Sequence, residues 1–334
     1  MPRRRADLDE DDVRVRPQRG KSRPRSKDRP THEGAAEGIV LTVDRGRFTC
    51  LVSDNGTTRE LMAVKARELG RKGVVVGDRV ALVGDLNGGS DALARVVRVE
   101  PRVSVLRRTA DDNDPIERVL VANADQLAIV TALAHPVPRP RLIDRCLVAA
   151  FDAGLSPLLV VTKSDLHSPD ALLATYAGLD LPYVVTRKGD DPASLRERLR
   201  DRMTVMVGHS GVGKSTLVNV LVPGADRAVG RVNAVTGRGR HTSSSAIALP
   251  LPQGGWVIDT PGVRSFGLAH VNVARVLHAF PDLQSGTEGC PRSCSHDEED
   301  CALDAWVAAG HADPARLDSF RRLLRTMRSG AEDD

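Results

Sequence analysis

The chain has 334 residues, of which 41% are hydrophobic and 28% are charged, and its formal net charge at pH 7 is +4. This composition is typical of a soluble globular protein and leaves room for two or three domains. It excludes a membrane-spanning protein, because no apolar run approaches the roughly 20 residues that a transmembrane helix needs. The basic residues at the start are not followed by the apolar segment of an export signal, so we predict a cytoplasmic protein.

Two regions precede the first motif. Residues 1–34 mix charges with Pro, Gly and Ser and should be disordered, because they cannot bury enough apolar surface. The basic stretch 14–29 suits loose contact with RNA phosphates, and a solvated tail without a specific role is the alternative.

Residues 35–105 contain short strand patterns at 38–43, 48–52, 60–64, 79–83 and 95–99. We predict an OB-fold β-barrel that binds RNA, although it has no obvious row of stacking aromatic residues.

Residues 106–268 alternate strands with helices. Buried-strand runs lie at 127–130 and 157–161, and the apolar stripe of a helix lies between them. Further strand patterns occur at 183–185, 205–207, 246–249 and 256–258. We predict a doubly wound parallel sheet flanked by helices.

A glycine-rich motif follows the strand at 205–207 and precedes a helix-forming run. It matches G-x-x-x-x-G-K-[ST] and reads Gly208-His209-Ser210-Gly211-Val212-Gly213-Lys214-Ser215, followed by Thr216. Glycines let backbone N–H groups turn toward phosphate oxygens, and the start of the helix adds positive potential. We expect these residues to bind a nucleotide as a P-loop, with Lys214 at the β and γ phosphates and the Ser215 hydroxyl on Mg²⁺.

Two more motifs follow strands. Asp259-Thr260-Pro261-Gly262 would hold Mg²⁺ through Asp259 and meet a γ-phosphate with the N–H of Gly262. Thr162-Lys163-Ser164-Asp165 would bind guanine, because the carboxylate of Asp165 can accept hydrogen bonds from guanine that adenine cannot supply, while Lys163 packs along the base. Taken singly, the first motif could be a turn and Asp165 could cap a helix. Together with the P-loop they predict a GTPase and disfavour an ATPase.

The order of these motifs is permuted. Ordinary GTPases place the guanine motif after the P-loop and the D-x-x-G motif, whereas here it comes first. The sites of such a sheet all lie at the carboxyl ends of strands, so cutting and rejoining the chain leaves the pocket intact. The permutation puts D-x-x-G at the end of the domain, where its loop would act directly on residues 269–334.

The cysteines predict a metal site near the end of the chain. Cys50 and Cys146 stand alone in apolar segments, whereas Cys290, Cys294, His296 and Cys301 form a Cys₃His set suited to structural, tetrahedral Zn²⁺. This pattern is typical of a reducing compartment and not of a disulfide framework. Free thiols are the alternative, and His278 or His311 could replace His296. The acidic run 297–300 should face solvent, and the arginines of the final helix would touch rRNA or be solvated.

With these motifs, residues 36–328 resemble the ribosome small subunit-dependent GTPase A (RsgA/YjeQ) family of circularly permuted GTPases. The resemblance also includes Gly237-Arg238-Gly239-Arg240-His241-Thr242 and D-T-P-G-V-R at 259–264. It implies an OB-fold, a permuted G domain at 106–268 and a zinc-binding helical domain at 269–334. It also implies a monomer that binds the 30S ribosomal subunit and 16S rRNA and hydrolyses GTP to GDP, stimulated by that particle, during late maturation.

The resemblance assigns further roles. Thr242 or Ser243 would supply the switch hydroxyl on Mg²⁺. Val263 occupies the place of the glutamine that orients water in many GTPases, so His241 becomes the candidate for promoting hydrolysis. Contact with RNA phosphates beside Arg238 and Arg240, or simple solvation, is the alternative for His241.

The chain departs from the family pattern in three places. Thr162 replaces the usual Asn, Thr186-Arg187 replaces Ser-Ala in the last base-side loop, and each gap of the cysteine cluster is one residue shorter. Two rival functions remain open: a permuted GTPase of the 50S subunit, and an RNA-binding assembly scaffold with weak hydrolysis.

Overall fold

The computed structural model describes most of the chain between residues 34 and 328. The described residues are 32, 34–54, 57–70, 73–87, 93–108, 118–225, 246–260, 266–268, 271–298 and 300–328. Several predicted features lie outside them, namely the N-terminal tail up to residue 31, the segment 226–245 with His241, Thr242 and Ser243, and the segment 261–265 with Gly262 and Val263. The roles of these residues stay predictions.

The first five strands close into a barrel. They are β1 (Ala36–Asp44), β2 (Arg47–Asp54), β3 (Thr57–Lys65), β4 (Arg79–Gly84) and β5 (Ala94–Val99). Neighbouring strands pair in the order β1-β2-β3-β5-β4, and β4 pairs back onto β1. All of these ladders are antiparallel except the one between β3 and β5. A closed barrel of five strands confirms the predicted OB-type architecture.

Alternating side chains of these strands fill the barrel. Val40, Phe48, Cys50, Leu61 and Leu82 are buried in one apolar cluster, because successive residues of a strand face opposite sides of the sheet. Burial raises the pKa of the Cys50 thiol to about 12. The thiol therefore stays protonated and packs as a small apolar side chain.

A strand pair that was not predicted follows the barrel. It consists of β6 (Val105–Arg108) and β7 (Arg118–Ala122), which are antiparallel. Gly77, at a φ of 85°, lies so close to β7 that a Cβ atom there would be 2.0 Å from the carbonyl oxygen of Ala122. Next to it, the fully buried Asp78 accepts hydrogen bonds from Nε and Nη2 of Arg102 at 2.7 and 2.9 Å. Only glycine fits this close approach, and the ion pair holds the adjoining loop.

The remaining strands form an α/β sheet. They are β8 (Gln126–Ala132), β9 (Ser156–Thr162), β10 (Tyr183–Val185), β11 (Met203–Val207), β12 (Ile247–Pro250) and β13 (Trp256–Asp259). Their order is β10-β9-β8-β11-β13-β12, and every ladder is parallel except the last. β12 departs from the expected parallel arrangement because a tight connection, with the N–H of Gly254 bonded to the carbonyl of Leu251, joins it to β13 as a hairpin.

The barrel and the α/β sheet are continuous. Thr42 of β1 lies opposite Ile247 of β12 in an antiparallel ladder, so the described strands from β10 to β4 form one sheet of eleven strands. The predicted domain limits at residues 105 and 268 stay predictions.

Helices cover the α/β sheet and form the end of the chain. They are α1 (Pro140–Asp152), α2 (Asp170–Thr175), α3 (Ala193–Leu199), α4 (Lys214–Leu221), α5 (Val273–Leu277), α6 (Pro281–Gln284), α7 (Ala302–Ala308) and α8 (Pro314–Arg328). Among the described helices, none combines the length and the apolar character needed to cross a membrane.

Helix α1 lies at the centre of the helical layer. It is buried at every position from Leu142 to Ala150, because it packs on the sheet and also contacts α5 and α8. Phe280, between α5 and α6, packs at a tilt against Phe320 of α8 with 5.1 Å between ring centroids and edge-on against Phe151 of α1 with 6.2 Å. The C-terminal helices therefore share one apolar core with α1.

Candidate active site and metal cluster

Three predicted motifs meet at one edge of the sheet. β9, β11 and β13 end at Thr162, Val207 and Asp259, and the guanine motif, the P-loop and the D-x-x-G motif begin at these ends. In the sheet, β13 is next to β11, and only β8 separates β11 from β9. The carboxyl ends of parallel strands face the same edge. The permuted order along the chain therefore leaves these motifs close in space.

Glycines shape the P-loop backbone. Gly211 and Gly213 have φ angles of 81° and 95°, in the left-handed region that favours glycine. A Cβ atom on Gly208 would lie 2.5 Å from the carbonyl oxygen of Val130. α4 begins at Lys214, directly after Gly213. A glycine loop that leads into the N-terminus of a helix suits an anionic phosphate.

Lys214 and Asp259 are brought into direct contact. Their ammonium and carboxylate groups form an ion pair, and the two side chains are 12% and 21% exposed. The buried hydroxyl of Thr260 donates a hydrogen bond to the carbonyl of Met206 at 2.8 Å, which fastens the start of the D-x-x-G motif to β11. Ser215 is exposed at the start of α4. The carboxylate of Asp259 and the hydroxyl of Ser215 are oxygen ligands of the type that Mg²⁺ prefers, so these residues fit the predicted ion.

Thr162 connects the guanine motif with the P-loop. Its hydroxyl lies 2.6 Å from the carbonyl oxygen of Val212 and 3.2 Å from that of Thr131. The shorter of these hydrogen bonds reaches into the P-loop itself. Threonine in place of asparagine therefore still braces the two loops.

The base-side loops lie next to each other. The ammonium of Lys163, whose φ is 59°, donates a hydrogen bond to the carbonyl of His135. The N–H of Ser164 donates to the carbonyl of Thr186 at 3.3 Å. Asp165 is exposed, as a carboxylate that must meet a base edge should be. The pKa of Arg187 is raised, mainly by its hydrogen bond with Asp190 and further by the charge of Asp165.

The predicted metal ligands converge in the C-terminal region. Cys290, Cys294, His296 and Cys301 place their ligand atoms within 4.8 Å of one another. Neither His278, whose Nδ1 bonds to the carbonyl of Ala274, nor His311, which stacks on Trp306 at 4.0 Å, belongs to this cluster. Among the described histidines, His296 is therefore the fourth member.

The spacing of the ligand atoms fits a tetrahedral ion. The Cys290 sulfur lies 3.6 Å from Nδ1 of His296 and 3.7 Å from the Cys301 sulfur, and Cys301 lies 3.8 Å from Nδ1. A tetrahedron with zinc–sulfur bonds of about 2.3 Å has edges of about 3.8 Å. Ser293 and His296 adopt positive φ angles of 72° and 61°. These turns let ligands with shortened gaps converge.

One residue of the acidic run departs from the expectation that the run faces solvent, because Glu298 and Asp300 are exposed but Asp297 is not. The side chain of Asp297 is 12% exposed and pairs with Arg325 at 2.8 Å and Arg328 at 3.4 Å. The hydrogen bond from Arg325 holds the pKa of Asp297 below its usual range. This carboxylate therefore ties the metal-bearing segment to α8.

The side chains of three arginines of α8 are at most 30% exposed and form ion pairs, whereas those of Arg325 and Arg328 are 65% and 50% exposed. Arg316 contacts Asp282 at 2.8 Å, Arg321 contacts Asp304 at 2.7 Å, and Arg322 contacts Asp144 at 3.3 Å. The first three pairs fasten α8 to neighbouring segments of the fold, and the two more exposed arginines pair with Asp297.

Two buried charges near the site were not predicted as functional. Asp144 and Arg145 lie side by side in the apolar run of α1. Burial raises the pKa of Asp144 to about 6, while the charge of Arg322 acts in the opposite direction. The signal available in the sequence was a pair of charges inside a continuous apolar helix, which needs partners from elsewhere in the fold.

The fold is shared with solved proteins of known architecture. The chain superimposes on the crystal structure of YjeQ from Thermotoga maritima with a TM-score of 0.63 and 26% identity, covering 88% of this chain and 99% of that one. It also matches YloQ, a circularly permuted GTPase, with a TM-score of 0.63, 22% identity and coverage of 90% and 98%. The second likeness bears on the fold alone.

Sequence comparison leads to one family. A small ribosomal subunit biogenesis GTPase RsgA of Gemmatimonas aurantiaca is 36% identical over 257 residues, which are 75% of this chain and 83% of that protein. The protein of the same name in Azotobacter vinelandii is 41% identical over 264 residues, which are 76% of this chain and 75% of that protein. The family model of the RsgA GTPases matches residues 99–269. The chain therefore belongs to the RsgA GTPase family and is a GTP-hydrolysing enzyme.

Proposed function

We propose that this GTPase binds the 30S ribosomal subunit through 16S rRNA and hydrolyses GTP to GDP and phosphate during late small-subunit maturation. The observation that carries the proposal is that the three permuted motifs begin at the same edge of the sheet. The relatives of the chain are named for small-subunit biogenesis. Cytoplasmic location and a monomeric state are part of the proposal.

The phosphate end of the pocket would bind and orient GTP. The P-loop amides and Lys214 surround the phosphates, and Lys214 exchanges its contact with Asp259 for the β and γ oxygens. Ser215, Asp259 and Thr242 would hold Mg²⁺, which would neutralise charge on the phosphates. Gly262 meets the γ-phosphate, and His241 promotes attack by water. The contact between Lys214 and Asp259 supports these assignments, because it puts opposite charges where phosphate and metal would bind.

The base end would select guanine. Asp165 accepts hydrogen bonds from the guanine edge, and Lys163 lies along the base. Thr162 holds their loop beside the P-loop. The bond between Thr162 and the carbonyl of Val212 supports this arrangement. Arg187, in the place of a small residue, adds positive charge beside Asp165.

The metal cluster would hold one Zn²⁺ with a structural role. Four protein ligands complete a tetrahedron and leave no position for a reacting water. The bonds from Asp297 to Arg325 and Arg328 support this role, because they attach the cluster to α8. The zinc segment and the barrel would then face rRNA while α8 stays attached to α1.

We expect 30S subunits to stimulate GTP hydrolysis strongly and 50S subunits to leave it near the basal rate. The measurement is steady-state phosphate release by the purified protein alone, with 30S and with 50S particles, and co-sedimentation under the same conditions. Stimulation by 50S would favour the rival large-subunit GTPase. Binding to 30S with turnover no faster than that of Lys214→Ala would favour the assembly scaffold.

The substitution Asp165→Asn should loosen the preference for guanine. The substitution replaces one acceptor oxygen with an NH₂ donor and removes the charge, so GTP affinity is expected to fall by about 10 to 100-fold, as for loss of a hydrogen bond to a charged group. Competition of GTP, ATP and xanthosine triphosphate for a fluorescent GDP analogue measures this. Asp170→Asn, at an exposed carboxylate in the same region, is the matched control. Unchanged discrimination in Asp165→Asn would remove the guanine assignment.

A further inference from the structure

One arginine of α8 reaches the metal cluster. The side chain of Arg321 is 15% exposed, and its Nε donates a hydrogen bond to the backbone carbonyl of the predicted ligand His296 at 3.0 Å. Nη1 and Nη2 donate to the two carboxylate oxygens of Asp304 at 2.8 and 2.7 Å. A planar guanidinium that uses three donors in this way fixes the direction of both partners as well as their distance. Arg321 therefore joins His296 to Asp304.

Asp304 belongs to the helix that starts at another predicted ligand. α7 begins at Ala302, directly after Cys301, and the N–H of Asp304 donates to the carbonyl of Cys301 at 3.0 Å. Nδ1 of His296 and the Cys301 sulfur lie 3.8 Å apart. Arg321 thus holds, from outside the cluster, two segments whose side chains meet inside it.

The backbone of His296 has a conformation that is unusual for a residue with a Cβ atom. Its φ is 61°, in the left-handed region that residues other than glycine rarely occupy. Its N–H donates to the Cys294 sulfur at 3.4 Å, and Phe320 of α8 packs against its ring with 6.2 Å between centroids. With the bond from Arg321 to the carbonyl, these contacts hold both the backbone and the ring of His296 in place. A ligand that is held in its bound position loses less freedom when the metal binds, so the affinity for the metal is higher.

A second arginine of the same helix has the same kind of ion pair but does not touch the cluster. The side chain of Arg316 is 14% exposed, and its Nε and Nη2 donate to the carboxylate of Asp282 at 2.8 and 3.0 Å. Its other hydrogen bonds run to residues 178, 180 and 279, which lie outside the metal cluster that the described residues form. Arg316 and Arg321 therefore match in burial and ion pairing and differ in their contact with the cluster.

We propose that Arg321 is a positioning residue for the metal, which fixes His296 against the helix that follows Cys301 and thereby sets how tightly the cluster binds Zn²⁺. The inference rests on the proposed zinc site. Arg321 is not itself a ligand, because a guanidinium has donors but no acceptor. It should therefore determine zinc affinity through the ligands, whereas Arg316 should contribute to folding stability alone.

The test measures the zinc affinity of the full-length protein by competition with a chromophoric chelator at neutral pH. Arg321→Met keeps an apolar stem but removes all donors, so zinc affinity should fall by about 10 to 100-fold, the usual loss for residues that orient metal ligands. Arg321→Lys lacks the planar fork that spans both partners and should recover only part of the affinity. The matched control Arg316→Met should lower the melting temperature yet keep zinc affinity within about threefold of the parent.

The inference is overturned if Arg321→Met binds zinc as tightly as the parent. It is also overturned if Arg316→Met loses as much zinc affinity as Arg321→Met, since the loss would then follow from general destabilisation. Should Arg321→Met fail to fold, Asp304→Asn replaces one acceptor of the fork and should weaken zinc binding; parental affinity in both Asp304→Asn and Arg321→Lys would overturn the inference as well. A parent that binds no zinc would mean that the proposed metal site itself has failed.

Discussion

Replacing Lys214 with alanine is expected to lower GTP turnover by about 100 to 1000-fold, the usual loss when one preorganised electrostatic contact to the transition state is removed. Lys214 begins α4, and its ammonium lies against Asp259 at the convergence of the P-loop and the D-x-x-G motif. The substitution removes the cation nearest the predicted position of the transferring phosphoryl group. It also leaves Asp259 without this ion-pair partner, so binding of the nucleotide phosphates should weaken.

Cleavage of bound GTP under single-turnover conditions measures this effect, because the rate of this step does not depend on product release. Lys188→Ala is the matched control, because Lys188 is an exposed lysine of the base-side loop, and its turnover should stay within about twofold of the parent. Equal rates in Lys214→Ala and Lys188→Ala would contradict the assignment of the P-loop lysine.

Removal of the metal is expected to unfold the C-terminal segment around residues 290–301. The sulfurs of Cys290 and Cys301 and Nδ1 of His296 lie 3.6 to 3.8 Å from one another, which is the spacing of ligands around one ion. Without a cation, the metal–ligand bonds that join residues 290, 294, 296 and 301 would be lost, so folding of this short segment depends on the ion. Cys301→Ser should lose zinc and lower the melting temperature by roughly 10 °C, as for a loss of about 4 kcal/mol.

Zinc content by mass spectrometry and thermal unfolding are the two measurements. His296→Ala should behave like Cys301→Ser, whereas His278→Ala should keep one zinc per chain and the parental melting temperature, because His278 lies outside the cluster. One zinc per chain retained in Cys301→Ser, with an unchanged melting temperature, would contradict the proposed site.

The features with local signatures could be predicted from the sequence. The strands of the barrel and of the α/β sheet follow from alternating or continuous apolar runs, and the P-loop follows from glycines between a strand and a helix. The cysteine cluster also has a short, local spacing. The gaps between its ligands are each one residue shorter than in the family pattern. The ligands could still be predicted, because the chain turns back within a few residues at Ser293 and His296.

Long-range pairing explains what was not predicted. Asp297 is predicted to face solvent because the sequence does not show that α8 brings Arg325 and Arg328 to it. The hydrogen bond from the Thr162 hydroxyl to the carbonyl of Val212 likewise joins two segments that are distant in the sequence. The antiparallel direction of β12 depends on a short connection to β13, which strand propensity alone does not reveal. Each of these features requires knowing which distant segment is adjacent.

The ladder between β1 and β12 has a consequence for the solubility of shortened forms of this protein. β12 is the outer strand of the α/β sheet, and on its far side it meets the barrel, with Thr42 opposite Ile247. A protein cut down to the GTPase region would expose that row of backbone groups, and an unprotected edge of this kind recruits strands from other molecules. The barrel therefore also covers this edge of the α/β sheet and prevents two enzyme molecules from pairing through it.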